Sequence, residues 1–253
     1  MRGGIMGLSR RRFLSDVGML TLGVALGTFG RRSGARVEVP KLPWPYKKLD
    51  PDAVARRAYE GYYEGRCSYG AFEAIVGELR DEVGYPYTLI PTGMMAYGRG
   101  EVAGWGDLCG ALNGACAAVN LVVEDFTSII DELMAWYVRE AILTYRPPNP
   151  RVEVEATSVS GSTLCHVSVA RWCKASGFEV DSPQRQERCA RLTGQVAAEA
   201  VRLLNDYHEG RFGSGSVLPA SASECGRCHI EGGAVGNVKG KMDCFLCHRR
   251  HEM

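Results

Sequence analysis

Cys225-Gly226-Arg227-Cys228-His229 and, with fifteen residues between Cys228 and Cys244, Cys244-Phe245-Leu246-Cys247-His248 decide how this chain is read. Each stretch is C-x-x-C-H, the attachment pattern of a c-type haem. The spacing follows from the chemistry. Two thiols add to the two vinyl groups of one porphyrin, and the His that follows gives the iron its proximal nitrogen. Cys225, Cys228, Cys244 and Cys247 are therefore expected to attach two haems c covalently, with His229 and His248 as proximal iron ligands. Without the histidines, the same cysteines spell C-x2-C-x15-C-x2-C, a zinc-ribbon spacing in which four thiolates hold one tetrahedral ion. Zinc does not need a His directly after both pairs. The haem reading is preferred, and a zinc-ribbon interaction module is the less favoured alternative.

The other end of the sequence supports this choice. Ser9-Arg10-Arg11-Arg12-Phe13-Leu14 matches the twin-arginine export pattern S-R-R-x-F-L, and an apolar run from Val17 to Phe29 follows. That run is short for a bilayer span, so residues 1–35 read as a signal peptide with no stable membrane span. The expected location is the periplasm, where c-type haem is attached. The twin-arginine route carries folded proteins, commonly ones loaded with a cofactor beforehand. Covalent haem needs no such loading, so the signal hints at a second cofactor.

The chain has 253 residues, ten Cys and a formal net charge of +1. It is long enough for a real hydrophobic core, and the balanced charge leaves no basic footprint for nucleic acid. No Walker, dinucleotide, zinc-protease or Ser/His/Asp pattern stands out, and the scattered glycines of 84–106 suit tight turns.

Apolar periodicity predicts a mainly α fold. Asp50 and Pro51 cap a helix over 52–64, and a second helix covers 67–83 with Cys67 at its start. Asp107 is expected to cap a helix to about Val123. Further helices are expected at 126–144, from Ser160-Gly161-Ser162 through Ser176, and at 184–208. Val152, Val154 and Ala156 alternate with charged residues and predict a short strand over 151–157. The expected organisation is a helical bundle body with the free cysteines, 36–210, then a linker and C-terminal dihaem segment, 211–253. That segment is expected to be mostly irregular and to fold only around its haems, which supply the missing apolar bulk.

The whole chain resembles the split-Soret cytochromes c. The resemblance rests on Gly106-Asp107-Leu108-Cys109-Gly110-Ala111, on Leu164-Cys165-His166-Val167-Ser168-Val169-Ala170-Arg171-Trp172-Cys173, on the Cys189 helix and on the two terminal motifs. The helical body is similar to the C_GCAxxG_C_C family of redox-active proteins, whose cysteine pattern falls here on Cys67, Cys109, Cys173 and Cys189. Cys116 and Cys165 are extra, and Asp107-Leu108 depart from the family pattern before the central Cys. The resemblance implies a homodimer with two closely spaced bis-histidine haems per subunit, and an iron–sulfur site in the helical part.

From the residues alone, such a site needs four converging thiolates, and Cys67, Cys109, Cys173 and Cys189 lie on four separate expected helices. A [2Fe-2S] cluster is the expected form. Disulfides and inert buried thiols are the plainer alternatives. Bis-histidine ligation needs two more His, from His166, His208 and His251; Met242 and Met253 are other candidates. The expected function is electron transfer by a periplasmic dihaem cytochrome rather than catalysis. The alternative is a redox enzyme that reduces a small molecule at an open haem or at the cysteine site.

Overall fold

The Asp50 side chain accepts the Asp52 N–H at 3.0 Å, and Pro51 takes the first helical position, so helix α1 (Pro51–Val83) starts where its sequence directs. In this computed structural model, which describes residues 38–215 and 218–250, α1 folds back on itself at Arg66. Arg66 has φ 72° and ψ −171°, well outside helical values. In a straight helix residues 57 and 81 would lie about 36 Å apart. Instead, Arg57 pairs with Glu73 at 3.2 Å, Glu78 at 3.3 Å and Asp81 at 2.6 Å. The two arms meet at Gly61 and Gly70, where a Cβ on Gly61 would stand 3.0 Å from the Gly70 Cα. The separate stretches 52–64 and 67–83 expected from periodicity are thus the two arms of one helical hairpin.

The remaining elements in order are α2 (Gly110–Val122), α3 (Phe126–Arg139), β1 (Ala141–Ile142), β2 (Ser158–Val159), α4 (Cys165–Ser176), α5 (Pro183–His208) and α6 (Ala220–His229). Short 3-10 turns cover Tyr87–Leu89, Thr92–Gly98 and Cys244–Leu246. The mainly α expectation holds. Ser182 caps α5 by accepting the Arg185 N–H at 3.2 Å, with Pro183 next. Val54, Ile75, Leu79, Leu112, Val119, Leu133, Val196 and Val201 are buried in one core formed by α1, α2, α3 and α5. Burial of such apolar area stabilises the bundle at about 25 cal/mol per Å². Beside the core, buried Arg191 pairs with buried Glu187 at 2.8 Å, and the Tyr59 and Tyr63 hydroxyls donate to the same carboxylate.

Several expectations are corrected. Residues 151–157 form no strand. Their carbonyls are taken by side chains: Val154 O accepts from Arg146 and Arg191, Val152 O from Arg191, and Ala156 O from the Trp172 indole. The strand pair is instead β1–β2, antiparallel, with Ala141 opposite Val159. Helix α3 ends at Arg139 rather than near 144, because 141–142 join that pair and Gln195 Oε1 accepts the Leu143 and Thr144 N–H groups. Cys109, not Asp107, is the cap residue of α2. The first haem motif lies on a helix, α6. The expected signal peptide, residues 1–35, and His251 and Met253 fall outside the described residues. Among those described, no helix is long and apolar enough to cross a membrane.

Candidate functional site

Cys67 is the first residue after the Arg66 bend and packs against Tyr62 and Cys189. Cys189 reaches the same place from α5, with the buried Arg188 guanidinium 3.8 Å from its sulfur. Arg188 is held by Ser168 Oγ at 2.6 Å, which in turn receives the Tyr137 hydroxyl at 3.0 Å.

Cys109 and Cys165 are drawn together by backbone. Leu108 and Leu164 form an isolated antiparallel bridge. The Cys109 N–H donates to Thr163 O at 2.8 Å and the Cys165 N–H to Asp107 O at 2.7 Å. Cys109 caps α2, and Cys165 is the first residue of α4. Two helix N-termini therefore flank the two thiols. Free N–H groups and the positive end of the macrodipole favour negative charge there, and so oppose the upward push of burial on both thiols.

The thiols of Cys67, Cys109, Cys165 and Cys189 form one electrostatic group. Burial pushes the Cys67 thiol well up, and Cys189, Glu101, Cys109 and Cys165 add to it. Burial raises Cys109 to about 11, with Glu101 adding and Tyr137 and Arg188 opposing. Cys165 is raised by burial, then by Cys109 and Cys189. Buried thiols without a cation stay neutral; a bound metal reverses this, because a coordinating thiol is deprotonated outright. Glu101 lies in the same group, 1% exposed, its carboxyl raised to about 7 chiefly by burial.

Cys67, Cys109, Cys165 and Cys189 thus act on one another, whereas Cys173, which lines the same cleft, acts with Cys189 alone among the cysteines. Cys173 stands further out, its thiol raised by burial and influenced by Arg188, Arg185 and Cys189 alone. Cys116 lies on α2, raised to about 12 by burial, with no other cysteine acting on it. None of the ten cysteines is in a disulfide. Among the described residues, no three His, Cys, Asp or Glu side chains are set to hold a single ion. A [2Fe-2S] cluster makes a different demand, since its two irons each take two protein ligands. The residues fit such a centre. They supply soft thiolate donors, two helix N-termini for the negative charge, and in Glu101 a buried carboxylate whose oxygens have no hydrogen-bond partner.

A cleft of about 800 Å³ opens onto Cys67, Cys165, Cys173 and Cys189. Arg66, Arg99, Arg185 and His166 line its walls with Trp105, which is 84% exposed. A second cavity, of about 390 Å³ and lined by Arg56, Tyr145 and Gln195, has neither Cys nor His in its walls.

In the terminal segment, α6 carries Cys225, Cys228 and His229 on its last turns. Ser221 Oγ donates to Asp243 and accepts the Cys244 N–H at 2.9 Å, tying the second motif to the start of α6. Arg250 pairs with Glu224 at 2.7 Å. These ties set the first cysteines of the two motifs side by side: desolvation and then the neighbouring Cys244 thiol push the Cys225 thiol up. His229 Nδ1 meets Asn237 Oδ1 at 3.0 Å. Donation from Nδ1 fixes the tautomer that presents Nε2 to a metal. The four motif cysteines are half-buried or exposed, as attachment to vinyl groups requires. Of the candidate distal ligands, His166 is exposed in the cleft. His208 ends α5, stacked on Tyr46 with ring centroids 4.3 Å apart, and burial lowers its pKa.

Residues 69–203 match the family model described as "Putative redox-active protein (C_GCAxxG_C_C)". The split-Soret cytochrome c of Desulfovibrio desulfuricans is 35% identical over 265 residues, covering 96% of this chain and 95% of that protein. A solved structure reporting a novel iron centre in the split-Soret cytochrome c of the same species superposes with a TM-score of 0.76. It is 38% identical and covers 81% of this chain and 90% of that one.

Proposed function

Because the chain belongs to the split-Soret cytochrome c family and is a cytochrome-type redox protein, we propose that it is a periplasmic dihaem electron carrier, exported by the twin-arginine route and working as a homodimer. The observation that carries this reading is the Cys244 N–H donated to Ser221 Oγ at 2.9 Å, which ties the second C-x-x-C-H motif to the helix that bears the first. Haems attached at Cys225/Cys228 and at Cys244/Cys247 would begin from neighbouring sulfurs, close enough to exchange electrons quickly. Bound haem supplies one-electron chemistry, and the protein tunes it through axial ligation, hydrogen bonding and burial. His229 and His248 would be the proximal ligands, with Asn237 orienting His229. His166, His208 and His251 are the candidates for the distal positions, from the same subunit or across the dimer.

The helical domain would hold an iron–sulfur centre, [2Fe-2S] in type, among the thiols of Cys67, Cys109, Cys165 and Cys189. Cys173 would stand at its rim. The α2 and α4 N-termini stabilise negative charge at Cys109 and Cys165, and Arg188 does so at Cys189.

The test is the visible spectrum of the natively exported protein, oxidised and reduced. Sharp low-spin c-type bands with a Soret peak split in two are expected. A single ordinary Soret band would remove close packing of the haems. Absence of haem bands in cells competent for attachment would return the terminal cysteines to zinc.

One observation favours a second reading, a redox enzyme acting at the cysteine site: the arginine-lined cleft opens directly onto those thiols. Reduction of an added small oxidant that is lost in Cys189→Ser, with haem bands retained, would support it. Equal rates in the two proteins would exclude the site.

A further inference from the structure

Glu101 is the most anomalous polar group among the described residues. Its side chain is buried, and neither carboxylate oxygen has a hydrogen-bond partner. The Cys67 thiol and the Gly110 N–H lie against it, but neither makes a hydrogen bond of proper geometry. An ionised carboxylate left in that state costs several kcal/mol, about what an unpaired buried charge costs elsewhere. Space is nevertheless kept for it. A Cβ on Gly110 would stand 2.5 Å from Glu101 Oε2 and 2.6 Å from Oε1, so the first residue of α2 is one that leaves the carboxylate room. The backbone that carries Glu101 is also strained. Val102 and Ala103 have φ of 49° and 55°, in the left-handed region that disfavours residues with a Cβ. Strain of this kind persists where the surrounding structure holds a functional group in place.

A buried carboxylate with unused oxygens, next to Cys67, Cys109 and Cys165, calls for a cation. We propose that Glu101 is an oxygen ligand of the iron centre, giving a mixed donor set of Cys109, Cys165, Cys189 and Glu101, with Cys67 left as a neutral thiol beside it. This rests on the reading that the helical domain holds a [2Fe-2S] centre. Five donors face four protein positions, and Cys67 and Glu101 are the adjacent pair that compete for one of them. The difference between the two side chains decides the competition. A neutral thiol, here half-buried, behaves as a small apolar group and needs no partner. A buried carboxylate gains most from a metal ion, because no hydrogen bond of proper geometry offsets its desolvation. Cys109 and Cys165 are fixed by the backbone bridge at two helix N-termini, and Cys189 has Arg188.

The test compares full-length, haem-loaded wild type with Cys67→Ala, Glu101→Gln and Glu101→Cys. Non-haem iron, acid-labile sulfide and the EPR spectrum of the dithionite-reduced protein are measured; ferrous low-spin haem is silent in that spectrum. Haem bands serve as the control for folding. Cys67→Ala is expected to keep its non-haem iron, sulfide and g values. Glu101→Gln is expected to lose that iron, and Glu101→Cys to keep it with g values moved toward those of an all-thiolate cluster. Should Glu101→Gln not fold, the g values of Glu101→Cys decide alone, and unchanged values overturn the proposal. Loss of the iron in Cys67→Ala, whatever Glu101→Gln does, makes Cys67 a ligand and overturns it. Retention of iron and g values in both Cys67→Ala and Glu101→Gln also overturns it. A wild type whose iron is all haem iron fails differently: the iron–sulfur reading itself falls, and this assignment with it.

Discussion

The Thr163 hydroxyl donates to Met242 Sδ at 3.3 Å, and this contact joins the haem segment to the body beside the thiol group. Met242 precedes Cys244 by two residues, and Thr163 precedes Cys165 by two. Thr163 O also accepts the Cys109 N–H. Lys241, paired with Asp131 on α3, adds a second tie nearby. Met242→Ala together with Lys241→Ala should therefore loosen the terminal segment and leave the bundle intact. Both ties are at the surface, so the loss should be on the order of 1 kcal/mol or less. Limited proteolysis is the readout: cleavage within 218–250 should quicken while the body resists as before. Uniform quickening along the chain would contradict it.

Cys165 and Cys173 are separated by two turns of α4; Cys165 acts with Cys67, Cys109 and Cys189, and Cys173 with Cys189 alone. Cys165→Ser should strip the non-haem iron and labile sulfide, whereas Cys173→Ser should leave both at wild-type level. The reverse result would restore the set read from the family pattern.

Glu187 is buried against Arg191 and also receives the Tyr59 and Tyr63 hydroxyls. Glu187→Gln keeps the shape but leaves the Arg191 charge without its buried partner. A loss of about 3 kcal/mol or more is expected, since breaking one side of a buried pair leaves the other charge uncompensated. Denaturant unfolding of the haem-loaded protein measures it. A loss within error would mean that the backbone carbonyls of Val152 and Val154, which also accept from Arg191, suffice alone.

Iron-free protein should show a pH dependence that traces to Glu101. Its folded carboxyl titrates near 7 because burial disfavours the charge, against a usual value of 4.5. Between those values the folded state holds the proton more tightly than the unfolded chain. Stability is therefore greatest below the lower value, falls as pH rises toward 7, and levels off above it; the total fall is about 3 kcal/mol. The facing thiols of Cys67, Cys109 and Cys165 remain neutral across this window. Glu101→Gln should flatten the slope, as unfolding curves collected from pH 4 to pH 8 would show. An equal slope in both proteins would assign it elsewhere.

The two arms of α1 with the Asp50–Pro51 cap, the span of α5 and the haem-attachment motifs were all legible in the sequence. Each depends on neighbours a few residues away: a helical period, a cap, two thiols one turn apart with a His next. The return of the chain at Arg66, the pairing of Leu108 with Leu164 and the Val152 and Val154 carbonyls taken by arginines were not. Those contacts join residues far apart in sequence. Cys165 looked like a surplus cysteine because nothing local separates it from Cys173; the bridge that sets it beside Cys109 is closed by a segment more than fifty residues upstream. Glu101 looked like one acidic residue in a glycine-rich loop, and only burial without a partner sets it apart. By itself, the sequence determined the helical class, the family resemblance and the haem-attachment chemistry, because covalent and one-turn geometry are local. Tertiary structure decided which thiols meet, which carboxylate they meet, and where the haem segment rests, because burial and convergence exist only once distant segments have packed.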